Sequence, residues 1–315
     1  MALNSAIVRF APRIERIVKM NNIIRLLAAF CLLTGTAHGD IRYLEDVGVI
    51  KSTTIKDFKN LNGVEVRGGK IFVFGNDGVS GRIVEYSLIN GELERSGYEA
   101  GIKLYSNNSY SISQPSGITY HETMGTFIGN SSNESRELYF FDWNILKDSR
   151  RLDWSVLNVI EDDLATFSTQ PEFVKYNNEW LIASADSSDQ STIIRLYDPF
   201  ELQQARKTSD PGVLRFQFIA PPGITHLYWR NQTGELLLAQ DSRPSGWRVI
   251  SIDLKDSIQA EIYRENSVVD LPDRPDRLRG FHYIFGKQAI AVSTGAQGNL
   301  SSMSFDFFNL FDIFW

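Results

Sequence analysis

The segment SGITYHETMGTFIGNSSNESRELYFFD, residues 116–142, contains the pattern that decides the fold. It has three short apolar runs, Ser116–Tyr120, Thr126–Ile128 and Glu137–Phe141, separated by polar and glycine-containing stretches. Short runs rich in β-branched and aromatic residues, bounded by Gly, Asn, Asp and Ser, favour strands over helices. The segment therefore predicts three short strands that follow one another with tight connections.

The same pattern occurs five times along the chain. The last residues of the five first strands are spaced 54, 56, 53 and 54 residues apart, and a turn follows each of them. A fixed period with about four strands per unit is typical of a propeller blade, whereas a β-sandwich needs no fixed period. The five first-strand segments are Asn62–Val66, Ser116–Tyr120, Glu172–Tyr176, Thr225–Trp229 and Arg279–Tyr283.

The repeat predicts an all-β chain in which residues 40–315 form one β-propeller, most simply of five four-stranded blades. Sandwiches and β-solenoids are the alternatives. A strand from one terminus should complete the last blade and cover its edge, either near Tyr43–Ile50 or in the aromatic tail 307–315. Helical turns are expected only at Phe200–Arg206 and Leu254–Ile258. An apolar fraction of 43% is ample for a packed core.

The repeat unit resembles those of extracytoplasmic propellers of the NHL, YWTD and SMP-30/gluconolactonase type, and residues 116–142 carry the closest likeness. SMP-30-like lactonases hold a metal with acidic and amide ligands around a central channel, and the matching residues here are Glu172 and Asn130. Five-bladed glycosidases of the arabinanase type use three carboxylates near the axis, and the inner strands here offer Glu65 and Glu172. The resemblance implies the fold more strongly than any activity.

The N-terminus has the pattern of a cleaved export signal. Met20 opens a short basic region, Leu26–Leu33 is apolar, and Ala37 and Gly39 are small residues at the positions that signal peptidase requires before Asp40. Residues 1–39 are therefore predicted to be an N-terminal extension and signal peptide, with Met20 as a candidate true start and cleavage after Gly39. Export to the periplasm or outside the cell follows.

The only cysteine, Cys31, lies within this predicted signal. The mature protein is thus expected to have no disulfide, no thiol nucleophile and no cysteine-ligated metal. A net charge of −6, without a long run of one sign, disfavours nucleic acid and anionic membranes as partners. Expected partners are a small polar ligand, a carbohydrate or a protein. A monomer is favoured, and no membrane span is expected in the mature chain.

The phase of the repeat assigns polar residues to one face of the ring. The entry of each inner strand and the loop between the second and third strands of a blade share that face, and loops on rigid scaffolds commonly carry function. The candidate ligand-binding residues are Asn76, Asp77, Gln114, Asn130, Gln170, Glu172, Asp186, Asp241, Arg277 and Arg279. Asp and Asn in such loops also have a structural explanation, because both form turns with their own backbone.

Glu172 and His226 are the candidate catalytic residues. Glu172 lies on a strand, where turn formation does not explain an acid, and His226 is placed near the funnel entry as a general base. No metal-binding histidine spacing occurs. No cofactor is required, although Glu172, Asn130 and Asp186 could supply oxygen ligands to Ca²⁺.

The sequence thus favours a binding or scaffold propeller with a polar ligand site on the funnel face. The alternative is a hydrolase on the same scaffold, either a metal-assisted lactonase or a glycosidase. The sequence leaves open whether the protein is an enzyme.

Overall fold

Tight turns join the first and second strands because residues suited to left-handed backbone follow the first strand. Asn177 and Asn178 have φ of 49° and 68°, a region that Gly and Asn tolerate better than other residues. They connect β12 (Gln170–Tyr176) to β13 (Glu179–Ser187) in a two-residue hairpin. Gly68 and Gly69 occupy the same position in the first repeat.

The computed structural model describes part of the chain. The described residues are 41–43, 52–54, 58–89, 92–96, 101–105, 110–132, 135–242, 246–271, 277–285, 288–294 and 304–309. The predicted signal, residues 1–39, and the aromatic tail beyond residue 309 lie outside them. No helix in the described ranges is long and apolar enough to cross a membrane.

The described strands form five sheets, and three of these are built from strands consecutive in sequence. The first sheet contains β3 (Asn60–Arg67), β4 (Lys70–Asn76), β5 (Gly81–Ile89) and β6 (Glu92–Arg95), and β7 (Ile102–Lys103) also pairs with β5. The second contains β8 (Pro115–His121), β9 (Gly125–Ser131), β10 (Arg136–Phe141) and β11 (Val156–Glu161). The third contains β12, β13, β14 (Thr192–Tyr197) and β15 (Leu214–Ala220).

The remaining two sheets include strands from the N-terminal region. The fourth contains β16 (Ile224–Arg230), β17 (Glu235–Ser242), β18 (Gly246–Ile252) and β19 (Glu265–Asp270), and β1 (Ile41–Tyr43) pairs with β19 in parallel. The fifth contains β20 (Arg277–Phe285), β21 (Gln288–Thr294), β22 (Ser304–Asn309) and β2 (Ser52–Thr54). Antiparallel pairing of β2 with β22 makes an N-terminal strand the outer strand of the fifth sheet.

The inner strands follow one another around an axis. β3 contacts β8, β8 contacts β12, β12 contacts β16, β16 contacts β20, and β20 returns to contact β3. Buried apolar residues fill the space between neighbouring sheets. Val174 of the third sheet and Leu227 of the fourth belong to one such cluster, whereas Phe74 of the first and Ile128 of the second belong to another. This arrangement is that of an all-β propeller.

Short helices connect third to fourth strands, and an aspartate begins three of them. Asp142, Asp198 and Asp253 each accept hydrogen bonds from backbone N–H groups in the first helical turn. The helices are α1 (Trp143–Ser149), α2 (Leu152–Ser155), α3 (Pro199–Gln204) and α4 (Leu254–Ala260). The last two coincide with the predicted helical turns. The sequence did not predict α1 or α2, because helices of one or two turns show little apolar periodicity.

Candidate functional site

Four of the inner strands contain a β-bulge at an equivalent position. The pairing register shifts between Leu61 and Gly63, and correspondingly in β8, β16 and β20. A bulge leaves one residue unpaired and re-aims its side chain. The four residues skipped by the register are Asn62, Ser116, Thr225 and Arg279, and all four line one cavity.

This mouth cavity has a volume of ≈ 290 Å³ and a mostly polar lining. Of the predicted ligand residues it brings together five, namely Gln114, Gln170, Asp241, Arg277 and Arg279. Sequence reasoning left out five further polar lining residues, Ser131, Ser168, Ser187, Ser188 and Asp189. Several of them follow the second strand of a blade, so the same phase rule could have found them.

The other five predicted residues do not line the mouth cavity, and two of them are asparagines that hold loops together. The Asn130 amide accepts a hydrogen bond from the Gln114 backbone N–H at 3.1 Å and donates to Glu137 at 3.0 Å. The Asn76 amide donates to the Ser113 carbonyl at 2.6 Å. Buried polar groups are paired in this way in folded proteins. Both side chains are therefore engaged in structure.

Asp77 and Asp186 close loops in the same manner. Asp77 accepts from the backbone N–H groups of Val79 and Ser80 and pairs with Arg82 at 2.7 Å. These contacts hold the pKa of Asp77 below its usual value, although its partial burial opposes them.

Asp186 is buried and accepts backbone N–H groups from three consecutive residues, 166–168, at 2.7–3.1 Å. It also contacts Arg195 at 3.3 Å. We expect Asp186→Ala to lower the free energy of unfolding by about 3 kcal/mol, because it leaves a buried arginine and three N–H groups without their partner. Asp189→Ala, at an exposed position just after the end of β13, should change it by less than about 0.5 kcal/mol. Equal losses in the two variants, measured by denaturant unfolding, would contradict this role.

No group of three or more His, Cys, Asp or Glu side chains in the described ranges is arranged to hold a metal ion. The three Ca²⁺ candidates are separately engaged. Asn130 and Asp186 bind loop backbone as described above, and Glu172 is buried on β12. The described residues therefore do not assemble these three side chains into a calcium site.

Glu172 belongs to a ring of side chains around the axis, below the mouth cavity. Each inner strand contributes one residue to this axial ring, which consists of Glu65, Thr119, Glu172, Tyr228 and His282. On each of the four bulged strands, the residue that belongs to the axial ring lies three positions after the residue in the bulge. The strand β12 has no bulge, and there Glu172 lies two positions beyond Gln170 of the mouth cavity.

The contacts of the axial ring run from one blade to the next. The Thr119 hydroxyl accepts the Phe173 N–H at 2.8 Å, and Glu172 Oε1 accepts the Trp229 N–H at 2.9 Å. The rings of Tyr228 and His282 lie 4.2 Å apart between centroids. His282 Nε2 is 3.6 Å from Glu65 Oε2. The axial ring therefore ties the inner strands together.

Burial changes the ionisation of the two acids in the axial ring. It raises the pKa of Glu172 to about 8, although hydrogen bonds from Trp229 and Thr119 act in the opposite direction. Burial, and secondarily the charge of Glu172, also raises the pKa of Glu65 well above its usual value. Glu172 therefore favours the protonated form at neutral pH, and burial shifts Glu65 in the same direction.

His226 is 4% exposed and does not line the mouth cavity. Its bulged neighbour Thr225 does. Burial, and then the proximity of His282, lowers the pKa of His226 to about 3. Among the described residues its Nε2 has no hydrogen-bond partner. His226 is thus a neutral, weakly basic side chain inside the protein, set back from the position at the funnel entry that the sequence predicted.

Comparisons with known proteins give similarity of fold at low sequence identity. No protein-family model matches the chain, and no curated protein sequence matches it. Similar solved structures include the "Crystal Structure of Mitotic Checkpoint Complex", with 10% identity, a TM-score of 0.41 and coverage of 80% of this chain and 75% of that one. The C-terminal WD40 domain of Sif2 is similar with 8% identity, a TM-score of 0.36 and coverage of 79% and 81%.

The Dos1 propeller is also similar, with 10% identity, a TM-score of 0.38 and coverage of 77% of this chain and 50% of that chain. These comparisons do not identify the NHL, YWTD or SMP-30 type that the repeat resembles. The fold is established by the sheets and their cyclic contacts. The chain is an all-β propeller.

Proposed function

We propose that this chain is an exported binding or scaffold propeller that holds a small polar ligand in the mouth cavity. The observation that carries the proposal is the convergence of four bulged residues on that cavity. Asn62, Ser116, Thr225 and Arg279 come from four different sheets. A bulge disturbs the hydrogen-bond ladder, so its recurrence at one position supports a role for the side chains that it presents.

The composition of the mouth cavity supports a ligand bound by hydrogen bonds and charge. Among the described residues that line the cavity, hydroxyl and amide side chains predominate, two arginines and two aspartates are present, and none is aromatic. A carbohydrate site commonly offers an aromatic face for stacking. The volume of ≈ 290 Å³ lies at the lower end of the range for ligand pockets and suits a small molecule.

We further propose that the ring has five blades and that β2 completes the fifth. The closed order of inner-strand contacts from β3 through β20 and back to β3 supports this count. The antiparallel pairing of β2 with β22 makes β2 the fourth strand of the fifth sheet. Export with cleavage after Gly39 is proposed on the sequence pattern alone.

Binding is favoured over metal-assisted hydrolysis by the positions of the acids. Asp77 and Asp186 are occupied by loop backbone, and Glu172 binds the neighbouring blade. Among the described residues, two aspartates line the mouth cavity, Asp241 and Asp189, and only Asp241 was named from the sequence. The arabinanase-type glycosidases considered from the sequence use three carboxylates near the axis.

Blocking the mouth cavity tests the proposed function. Thr225→Trp places a bulky side chain at a lining position, whereas Thr233→Trp makes the same change at an exposed residue of the turn between β16 and β17. The mature protein and both variants are screened by thermal shift against amino acids, dipeptides, sugars, sugar acids and polyols. A ligand present at 100 times its Kd stabilises the folded state by about 2.7 kcal/mol.

The proposal predicts that at least one class of compound raises the melting temperature of the wild type and does not raise that of Thr225→Trp. Thr233→Trp should respond as the wild type does. If no class gives a shift that Thr225→Trp abolishes and Thr233→Trp retains, the mouth cavity is not a ligand site.

A further inference from the structure

The charged groups of the mouth cavity are distributed unevenly around it. Both arginines, Arg277 and Arg279, come from β20 of the fifth sheet. Asp189 comes from the loop after β13 of the third sheet, and Asp241 from β17 of the fourth. The inner strand of the fourth sheet lies between those of the third and fifth. The cavity therefore has a positive region at the fifth sheet and a negative region at the third and fourth sheets.

The two outermost charges are available to a ligand. Arg277 and Asp189 are both exposed, and neither has an ion pair or side-chain hydrogen bond with the other described residues. Arg279 and Asp241 have contacts within the protein and add their charge to the same two regions. An exposed arginine at a cavity presents its planar donors to a carboxylate in a two-pronged geometry.

A buried acceptor lies in the negative region. Gln170 lines the mouth cavity from the third sheet, and its Oε1 has no hydrogen-bond partner among the described residues although the atom is buried. Buried polar atoms without a partner are few in folded proteins and call for an explanation, such as a bound water or ligand. An N–H donor on a ligand would reach this oxygen after the Gln170 side chain turns toward the cavity.

We propose that the ligand is a small zwitterion of about dipeptide size, with its carboxylate at Arg277 and Arg279 and its ammonium group toward Asp189, Asp241 and Gln170. This inference rests on the proposed function and specifies its ligand class. Charges of opposite sign on different sheets favour a ligand with two charges held apart and disfavour a neutral sugar, because the side chains of Arg277 and Asp189 would then lose solvation without compensation.

Four probes that differ only in their terminal charges test the ligand class. They are alanylalanine, its N-acetyl derivative, its C-terminal amide, and the N-acetyl amide without charge. Calorimetric titration of the mature protein should give the tightest binding for alanylalanine. Each single-charge derivative should bind about tenfold or more weakly, since a hydrogen bond to a charged group contributes about 1.5–3 kcal/mol. The uncharged derivative should bind weakest of the four.

Two variants assign the charges to the two regions. Arg277→Gln should weaken alanylalanine and the N-acetyl derivative about tenfold and leave the C-terminal amide unchanged. Asp189→Asn should do the reverse, weakening alanylalanine and the C-terminal amide. Arg206→Gln, at an exposed position outside the cavity lining, should change none of these affinities.

The outcomes separate this inference from the proposed function. If a sugar, polyol or singly charged compound binds in a manner sensitive to Thr225→Trp while alanylalanine does not, the zwitterion is wrong and the binding site stands. If alanylalanine binds equally well to Arg277→Gln and to the wild type, the placement of the carboxylate is wrong. If no compound of any class shows Thr225→Trp-sensitive binding, both proposals fail.

Discussion

Replacing Glu172 with alanine is expected to lower the free energy of unfolding by about 3 kcal/mol. The buried carboxyl group accepts the Trp229 backbone N–H at 2.9 Å and a hydrogen bond from Thr119, and so joins β12 to the inner strands on both sides. Alanine leaves the Trp229 N–H unsatisfied, which costs about 1–3 kcal/mol. The volume vacated by the side chain adds the cost of a cavity.

Glutamine at the same position separates the hydrogen bond from the charge. Glu172→Gln keeps an acceptor oxygen and nearly the same volume, and burial already holds the native carboxyl in its protonated form at neutral pH. Its free energy of unfolding should therefore lie within about 1 kcal/mol of the wild type at pH 6. Glu122→Ala, at an exposed turn residue, is the surface control and should change it by less than about 0.5 kcal/mol. Urea unfolding of all three measures this, and an alanine variant as stable as the wild type would falsify the structural role of Glu172.

The second large effect is a loss of stability as the pH rises from about 6.5 to about 8. Burial raises the folded pKa of Glu172 from 4.5 to about 8. Between these values the folded chain holds a proton that the unfolded chain has released, so raising the pH favours unfolding. The slope is about 1.4 kcal/mol per pH unit for one group. Glu65, whose pKa is also raised, acts in the same direction.

His226 contributes to the dependence of stability on pH in the direction opposite to that of Glu172. Burial lowers its folded pKa from 6.5 to about 3, so within that window the unfolded chain binds the extra proton and stability falls as the pH falls. The contributions of Glu172 and His226 oppose each other between about 4.5 and 6.5, so the dependence of stability on pH there comes from Glu65 and is shallower than above pH 6.5. Above that window Glu172 is unopposed by His226, and the wild type should lose about 2 kcal/mol by pH 8.

Urea unfolding at pH 5, 6, 7 and 8 measures the profile. Glu172→Gln should reduce the loss between pH 6.5 and 8, leaving only the part due to Glu65. His226→Asn should remove the opposing contribution, so that stability falls more steeply as the pH rises from 5 to 6.5, and should leave the profile above pH 6.5 unchanged. A Glu172→Gln profile that parallels the wild type above pH 6.5 would mean that Glu172 does not hold its proton in this window.

The repeat spacing predicted most of the secondary structure, because short strands of β-branched and aromatic residues are a local property. Its phase also placed Gln114, Gln170 and Arg277 on the face that bears the mouth cavity. The same rule selected Asn76 and Asn130, which the structure uses in loops. The sequence cannot distinguish an asparagine that lines a cavity from one that holds a loop, since Asn is suited to both positions.

The β-bulges could not be predicted from the sequence. Whether Thr225 pairs in the ladder or projects from it depends on the register between β16 and β17, which the neighbouring sheets help to fix. The absence of a bulge in β12 gives Glu172 a different role from Asn62 and Ser116, with which it aligns in the repeat. The repeat therefore aligned Glu172 with residues that line the mouth cavity, although the strand pairing places Glu172 in the axial ring.

The sequence by itself determined the all-β class, the period of the repeat and the face on which polar residues gather, because each depends on side-chain type and local spacing. Only the tertiary structure decided which of those polar residues meet. The mouth cavity and the axial ring bring together residues that are far apart in sequence, from Glu65 to His282, through contacts between different sheets. The burial that raises the pKa of Glu172 and lowers that of His226 likewise exists only when the ring of sheets has closed around them.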